Sequence, residues 1–326
     1  MTTALLELES VSKRFPIGRQ GLFRRGHVPH VHAVDDVSFT VGQGETIGLV
    51  GESGCGKSTL VRMITRLLDV TDGKIWLDRR AVSEVPAALF ARDDDRGHIQ
   101  MVFQDAGDSI NPRFTAFDAI ADPLRRLGGL RGEALRARVE EAAVQCGLPV
   151  ELLERFPHQL SGGQRARVGI ARAIGTKPRL LILDEPTAAL DVSVQVTVLK
   201  LLQQLKAELG LSYIFVSHDL NVVRLLCDRV VVMYLGRIVE TGPAQAVFDS
   251  PAHPYTRSLI NAIPRLDGVR HTEGRLTGEP RSPIDPSPDV CRFYGRCPMG
   301  TDRCKTEMPP LHALPGHRQA ACHFAA

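Results

Sequence analysis

The stretch Thr46-Ile47-Gly48-Leu49-Val50-Gly51-Glu52-Ser53-Gly54-Cys55-Gly56-Lys57-Ser58-Thr59-Leu60-Val61-Arg62-Met63-Ile64 decides the fold. Its first five residues are apolar and read as a buried strand, and its last six read as a helix. Between them Gly51 to Ser58 fits the pattern G-x-x-x-x-G-K-[ST], in the strand-to-helix context that this pattern requires. Glycines let the backbone curl until successive N–H groups point at phosphate oxygens. The helix N-terminus adds partial positive charge at the same place. Lys57 is placed to reach the β- and γ-phosphates, and the Ser58 hydroxyl to hold Mg²⁺. Gly51, Glu52, Ser53, Gly54, Cys55, Gly56, Lys57, Ser58 and Thr59 form the expected nucleotide-contacting set. Nothing around Cys55 argues for a reactive thiol.

A second acidic strand lies downstream. Leu180-Leu181-Ile182-Leu183 is apolar throughout, as a strand buried on both faces should be, and it ends in Asp184-Glu185. Asp184 suits Mg²⁺ coordination beside a P-loop. Glu185 points the other way and suits the general base for an attacking water. Leu160-Ser161-Gly162-Gly163-Gln164 opens a helix with Ser161 as N-cap, and two glycines leave its first N–H groups uncovered for an anion. Ser212 to Val216 reads as another strand. Val230 to Tyr234 with Ile238 to Glu240 reads as a hairpin near a sheet edge. From 115 to 175 the pattern is helical, with Leu124, Leu127, Leu135, Val139, Ala142 and Ala143 at helix spacing and Arg131 to Arg138 on a solvated face. Short apolar runs alternating with helices give an α/β class.

Composition narrows the function. Hydrophobic residues at 43% and charged residues at 24% exclude wholesale disorder. A net charge of +3 is too mild to argue for nucleic acid or lipid as a partner. No apolar run approaches the roughly 18–20 residues of a membrane span. The N-terminal residues lack the basic and apolar regions of a signal peptide, so a cytosolic protein that forms no channel by itself is expected.

In order along the chain stand the P-loop, Gln104 after Met101-Val102-Phe103, LSGGQ at 160–164, LLILDEP at 180–186, Ala189-Leu190-Asp191 and His218. Together these resemble the nucleotide-binding subunit of ATP-binding cassette (ABC) transporters over about residues 5–260. The resemblance implies an α/β P-loop NTPase: an ABC nucleotide-binding domain with a RecA-like core over 1–263 and a helical subdomain over about 106–178. It implies ATP and Mg²⁺ as cofactors, with Mg²⁺ held by Ser58, Gln104 and Asp184. Gln104 matches the glutamine that contacts Mg²⁺ or the attacking water, and His218 the switch histidine at the γ-phosphate. Phe15 stands where the family stacks an aromatic on adenine; the residue pattern alone leaves it open as a core residue of the first strand. Ser161, Gly162, Gly163, Gln164 and Asp191 match residues that face the nucleotide of the opposite subunit. Glu185, His218, Gln104 and Lys57 are then the catalytic set.

Two regions resemble the oligopeptide and dipeptide (peptide/nickel) importer branch. One is Gln104 to Arg113, with Ala106 where Pro is usual. The other is His253-Pro254-Tyr255-Thr256-Arg257-Ser258-Leu259 followed by Gly278-Glu279-Pro280 and four cysteines; Phe156-Pro157-His158 agrees. Residues 264–326 read as a loop-rich extension carrying Cys291, Cys297, Cys304 and Cys322. Two disulfides do not suit a reducing cytosol, and the gaps are wider than usual zinc pairs. Four thiolates at this spacing suit a [4Fe–4S] cluster, which some members of the branch have; zinc and unligated thiols stay open, with His312, His317 and His323 as substitute ligands. Cys55, Cys146 and Cys227 read as isolated small hydrophobes. The segment 16–32, with Arg19, Arg24, Arg25, His27, His30 and His32, reads as a solvated loop or a contact to a membrane subunit or anionic lipid.

The resemblance implies an ATPase that energises peptide import from the cytoplasmic face of the membrane. Its implied partners are two membrane permease subunits, a second and related ABC ATPase chain, and indirectly an extracytoplasmic substrate-binding protein; nucleic acid is not among them. The alternatives are a nickel chelate or glutathione as substrate, or a soluble ABC ATPase acting on ribosomes or DNA. The doubled cassette or inserted coiled coil of such soluble members is absent. A non-catalytic module would lack Lys57 or Glu185.

Overall fold

The computed structural model describes residues 4–18, 28–104, 109–263 and 278–325. Arg19, Arg24, Arg25 and His27, and the Asp105-Ala106-Gly107-Asp108 stretch, lie outside the described residues. The chain divides into two compact units: Leu6–Thr40, Ile47–Glu84 and Ser217–Ala326 in one, and Met1–Leu5, Val41–Thr46 and Val85–Val216 in the other.

The first unit carries the P-loop. Strands β1 (Ala4–Pro16), β2 (His30–Gly42), β4 (Asp72–Leu77) and β5 (Arg80–Ala81) form a sheet in the order β2-β1-β4-β5. Leu6 stands opposite Leu77 and Leu8 opposite Ile75; all four are 2% exposed or less, so period-two alternation buries one face. Strand β3 (Thr46–Val50) is buried at every residue and runs parallel to β9 (Arg229–Tyr234). The P-loop follows β3 and leads into α1 (Lys57–Ile64). Strand β9 turns back antiparallel into β10 (Arg237–Pro243). The two turn residues, Leu235 and Gly236, have φ of 43° and 81°, the left-handed pair that a tight hairpin needs. Helices α7 (Leu220–Leu226), α8 (Ala244–Asp249) and α9 (Pro254–Asn261) complete this part.

The hairpin is not the end of its sheet. Two three-residue strands of the tail, β11 (His312–Leu314) and β12 (Arg318–Ala320), extend it, β12 pairing antiparallel with β10. Strands this short carry no readable alternation, so the sequence pattern showed only loop there. The tail also holds the one-turn helix α10 (Arg303–Thr306).

The second unit is built on three parallel strands, β6 (Ile99–Val102), β7 (Leu180–Asp184) and β8 (Ser212–Val216), with β7 in the middle. Leu180 to Leu183 are fully buried, as an all-apolar central strand requires. Its helices are the short α2 (Ala87–Phe90), then α3 (Ala116–Arg126), α4 (Gly132–Gln145), α5 (Gly162–Ile174) and α6 (Val192–Leu209). Leu124, Leu135, Val139, Ala142 and Ala143 are buried as their spacing implies. Arg138 corrects the solvated reading of 131–138. Its side chain is 10% exposed, and the guanidinium donates to the carbonyls of Ile174 and Gly175 at 3.0 and 2.8 Å. It therefore satisfies orphan C-terminal acceptors of α5. Among the described residues no helix is long and apolar enough to cross a membrane.

Candidate nucleotide-binding site

The P-loop is shaped by contacts that exclude side chains. Gly56 is the N-cap of α1 with φ of 107°, and a Cβ there would sit 2.2 Å from the Ala33 carbonyl oxygen. At Gly51, φ is 149° and a Cβ would lie 2.3 Å from the Met233 carbonyl oxygen. Both positions need glycine because backbone approaches backbone there. Lys57 is 8% exposed, and its ammonium donates to the Gly51 and Glu52 carbonyls at 2.7 and 2.9 Å. The loop thus holds the cation over its own concavity, where phosphate oxygens are better acceptors than neutral carbonyls. Ser53, Gly54 and Ser58 are exposed. Cys55 is 3% exposed, and burial pushes its thiol up, in keeping with an inert side chain.

Two contacts at Glu52 were not visible in the sequence. Its N–H donates to the Tyr255 hydroxyl at 2.7 Å. Its carboxylate accepts two bonds from Arg296, at 2.8 and 3.0 Å. No spacing rule signals either pair.

In the second unit Asp184 closes β7. Glu185 follows with φ of 48°, a left-handed conformation that strains a side-chain-bearing residue and that clusters at functional sites. Its N–H is anchored to the Val216 carbonyl at 2.9 Å. Ser161 caps α5: its Oγ accepts the Gln164 N–H at 3.3 Å, and Gln164 Oε1 accepts the Ser161 N–H at 2.8 Å. This is the reciprocal capping box, which the S-x-x-Q spacing also encodes. Asp191 is the N-cap residue of α6, without a side-chain cap bond. Gln104 is exposed just after β6.

Phe15 lies on β1 and is 37% exposed, so it is no core residue; the Lys13 ammonium stands 5.3 Å over its ring. His218 is exposed and precedes Asp219, whose carboxylate caps α7 through the Asn221 and Val222 N–H groups.

The tail, read from the sequence as a loop-rich extension, packs an aromatic side chain against residues far upstream in the same unit. Phe293 is 1% exposed and packs edge-on to Tyr234 and Tyr255 at 5.2 and 5.6 Å, with His253 at 5.7 Å. The apolar surface comes from distant residues, which no local pattern reports. Arg292 joins Arg237 on the Asp35 carboxylate. Burial alone would raise that carboxyl, but the two guanidiniums outweigh burial and hold it below the usual range.

Cys291, Cys297, Cys304 and Cys322 line one cavity together with Phe293 and His323. Burial pushes the thiols of Cys291 and Cys322 up, and that of Cys297 to about 11. Among the described residues no group of three or more His, Cys, Asp or Glu side chains is arranged to hold a single metal ion. His323 Nε2 lies 3.0 Å from the Glu307 carbonyl and His312 Nδ1 3.3 Å from the Pro310 carbonyl. Cys146 and Cys227 are buried, 0% and 8% exposed.

A P-loop between a buried strand and a helix, an acidic parallel strand and a capped SGGQ helix define an ATP-binding cassette ATPase. Residues 34–188 match the family model described as ABC transporter, and residues 239–304 the one described as oligopeptide/dipeptide transporter, C-terminal region. A probable peptide ABC transporter ATP-binding protein of Sinorhizobium fredii is 46% identical over all of this chain and 91% of its own length. The oligopeptide transport ATP-binding protein AppF of Bacillus subtilis is 44% identical over 98% of this chain and 97% of its own. A dimeric, ADP- and phosphate-bound structure of the ATP-binding cassette MJ0796 superposes with a TM-score of 0.64 at 29% identity, covering 73% of this chain and 98% of that one. The chain belongs to the ABC transporter ATP-binding proteins, in their oligopeptide/dipeptide branch, and ATP with Mg²⁺ is what its site takes.

Proposed function

We propose that this chain hydrolyses ATP to energise import of di- or oligopeptides through two separate permease subunits. It works from the cytoplasmic face of the membrane, beside a second, related ATPase chain, with an extracytoplasmic binding protein delivering substrate. One observation carries the reading: the described residues that match the oligopeptide/dipeptide C-terminal region fold into the same unit as the P-loop. We take residues 1–263 as the nucleotide-binding domain, with a helical subdomain over about 106–178, and 264–326 as an extension.

The roles follow from chemistry. Lys57 leaves the Gly51 and Glu52 carbonyls for the β- and γ-phosphate oxygens, and Phe15 offers a ring face to adenine. Mg²⁺, when held by Ser58, Gln104 and Asp184, neutralises developing phosphate charge. Glu185 takes the proton of the attacking water as its oxygen bonds to the γ-phosphorus. The bond to the β–γ bridging oxygen breaks, and ADP carries that electron pair away. His218 steadies the γ-phosphate. The helix end at Ser161, Gly162, Gly163 and Gln164 supplies partial positive charge to the partner's nucleotide, which Asp191 also faces. The test is the assembled complex in vesicles, with any partner ATPase disabled. Glu185→Gln should keep ATP binding and lose turnover and peptide uptake; unaltered turnover sinks the assignment. Uptake of a nickel chelate or glutathione instead of peptide would replace the substrate.

We further infer that Cys291, Cys297, Cys304 and Cys322 hold a [4Fe–4S] cluster of structural role. In support, the four line one cavity, and backbone N–H groups already point at the sulfurs of three of them. Phe293 and Tyr294 donate to Cys291, Met299 to Cys297, and Phe324 and Ala325 to Cys322. Such donors suit thiolates bound to iron. Anaerobic protein should contain iron and sulfide, and lose both when any one cysteine becomes serine. Stoichiometric zinc, or neither metal, overturns this.

A further inference from the structure

Glu52 puts a carboxylate into the phosphate-binding loop. A carboxylate there adds negative charge where a triphosphate must sit, unless something neutralises it. Arg296 does so from the tail: Nη1 meets one Glu52 oxygen at 2.8 Å and Nη2 the other at 3.0 Å. The Arg296 side chain is 6% exposed and that of Glu52 29%. A bidentate, largely desolvated pair is the strong kind, because fork geometry holds both partners and little water screens them. Arg296 is itself fixed. Nη1 also donates to the Tyr234 hydroxyl at 3.2 Å, and the Tyr234 ring packs 4.7 Å from Tyr255, whose hydroxyl takes the Glu52 N–H. The backbone presenting Arg296 is a turn between two of the cysteines, with Arg296 and Cys297 N–H both bonded to the Phe293 carbonyl at 3.1 Å.

The other end of the loop is held differently. The Cys55 carbonyl accepts the Gly236 N–H at 2.9 Å, and Gly56 abuts Ala33. Strand β2 and the β9–β10 turn thus hold the second half of the P-loop, while the cysteine-bearing tail and α9 join β9 in holding the first.

We propose that Arg296 is a positioning residue of the ATP site: it neutralises and orients Glu52, so the four-cysteine module sets the nucleotide affinity of the P-loop. This rests on the reading of residues 51–58 as the ATP-phosphate site and of 291–322 as one module. Removing Arg296 leaves an unpaired carboxylate facing the phosphates. One unit charge at roughly 10 Å in a site of effective dielectric about 20 changes affinity on the order of tenfold.

The experiment is titration of the purified full-length chain with Mg²⁺ and a non-hydrolysable ATP analogue, with KM and kcat measured on the assembled complex. Arg296→Ala should raise Kd and KM about tenfold while kcat falls much less, because Glu185 is untouched. Arg296→Lys should recover part of the loss. The decisive protein is the double variant Glu52→Gln with Arg296→Ala, which removes the carboxylate along with its partner. It should bind the analogue within about threefold of wild type, since no charge is then left unpaired. A packing role for Arg296 would not be rescued this way. Cys297→Ser, which loosens the turn carrying Arg296, should weaken binding in the same direction. The proposal is overturned if folded Arg296→Ala binds as wild type, or if Glu52→Gln fails to rescue it. It is equally overturned if neither the single nor the double variant folds, since the role is then structural. An unchanged Kd in Cys297→Ser removes the module's part in it. If wild type and Lys57→Ala bind the analogue equally, the ATP-site reading itself falls.

Discussion

His253 ties helix α9 to acid. Its ring is 2% exposed, and Nδ1 accepts the Tyr255 N–H at 3.0 Å, so the neutral imidazole is the N-cap of the helix. Burial pushes its pKa from 6.5 down to about 3. Above pH 6.5 the ring is neutral in folded and unfolded chains alike. Below it the unfolded chain binds a proton that the folded ring refuses. Stability from this residue is therefore whole above about 6.5 and drains away as pH falls toward about 3. At about pH 5, which is 1.5 units below the ordinary value, the loss at about 1.4 kcal/mol per unit is about 2 kcal/mol. His253→Asn keeps a short acceptor for the Tyr255 N–H and does not titrate. Glu240 faces the same spot: its carboxylate accepts the Ala252 and His253 N–H groups at 2.8 Å each. Burial raises that carboxyl, so its contribution runs the other way, strengthening as pH falls; being common to both proteins, it drops out of their difference. The assay is urea unfolding followed by the fluorescence of Trp76, the single tryptophan, which lies in the same unit. Between about pH 7.5 and 5, wild type should lose about 2 kcal/mol more than the variant. Equal losses, or a larger loss in the variant, refute the reasoning.

Three further changes probe the site and its support. Gly56→Ala forces a Cβ to 2.2 Å from the Ala33 oxygen at φ of 107°, so nucleotide titration should show affinity reduced by tenfold or more, since a strain of about 1–3 kcal/mol falls on the phosphate cradle. Ser161→Ala deletes the cap accepted at 3.3 Å; denaturant unfolding should show about 1 kcal/mol lost, and turnover of the assembled complex should drop. Phe293→Ala removes a ring 1% exposed and packed on Tyr234 and Tyr255. It should cost about 3–5 kcal/mol, seen as hydrogen exchange of the tail speeding up before that of β6 to β8.

Local chemistry was legible along the chain. The P-loop works through glycines, backbone amides and one lysine within a single turn of strand into helix, so its whole physical requirement fits in a short window. The same holds for Asp184 and Glu185 at the end of an apolar strand and for the Ser161–Gln164 capping box, whose bonds close within three residues. Even so, the left-handed backbone at Glu185 left no trace in residue types. Helical spacing identified the buried stripe of Leu135 and Val139, yet misjudged Arg138, because periodicity says which side a residue faces and not whether a neighbouring helix end waits there.

By itself the sequence determined the phosphate chemistry, the α/β alternation and the presence of four cysteines in a Pro- and Gly-rich tail. Where that tail packs was set by the tertiary fold alone. Arg296 meets Glu52 across 244 residues, Arg292 meets Asp35 across 257, and Phe293 finds its core on Tyr234 and Tyr255. The physical reason is range. Backbone curvature and helix capping are set by neighbours a few residues away and so obey spacing rules. A charge pair or an aromatic contact between distant segments depends on the path of the whole chain, and any spacing serves if the fold brings the atoms together.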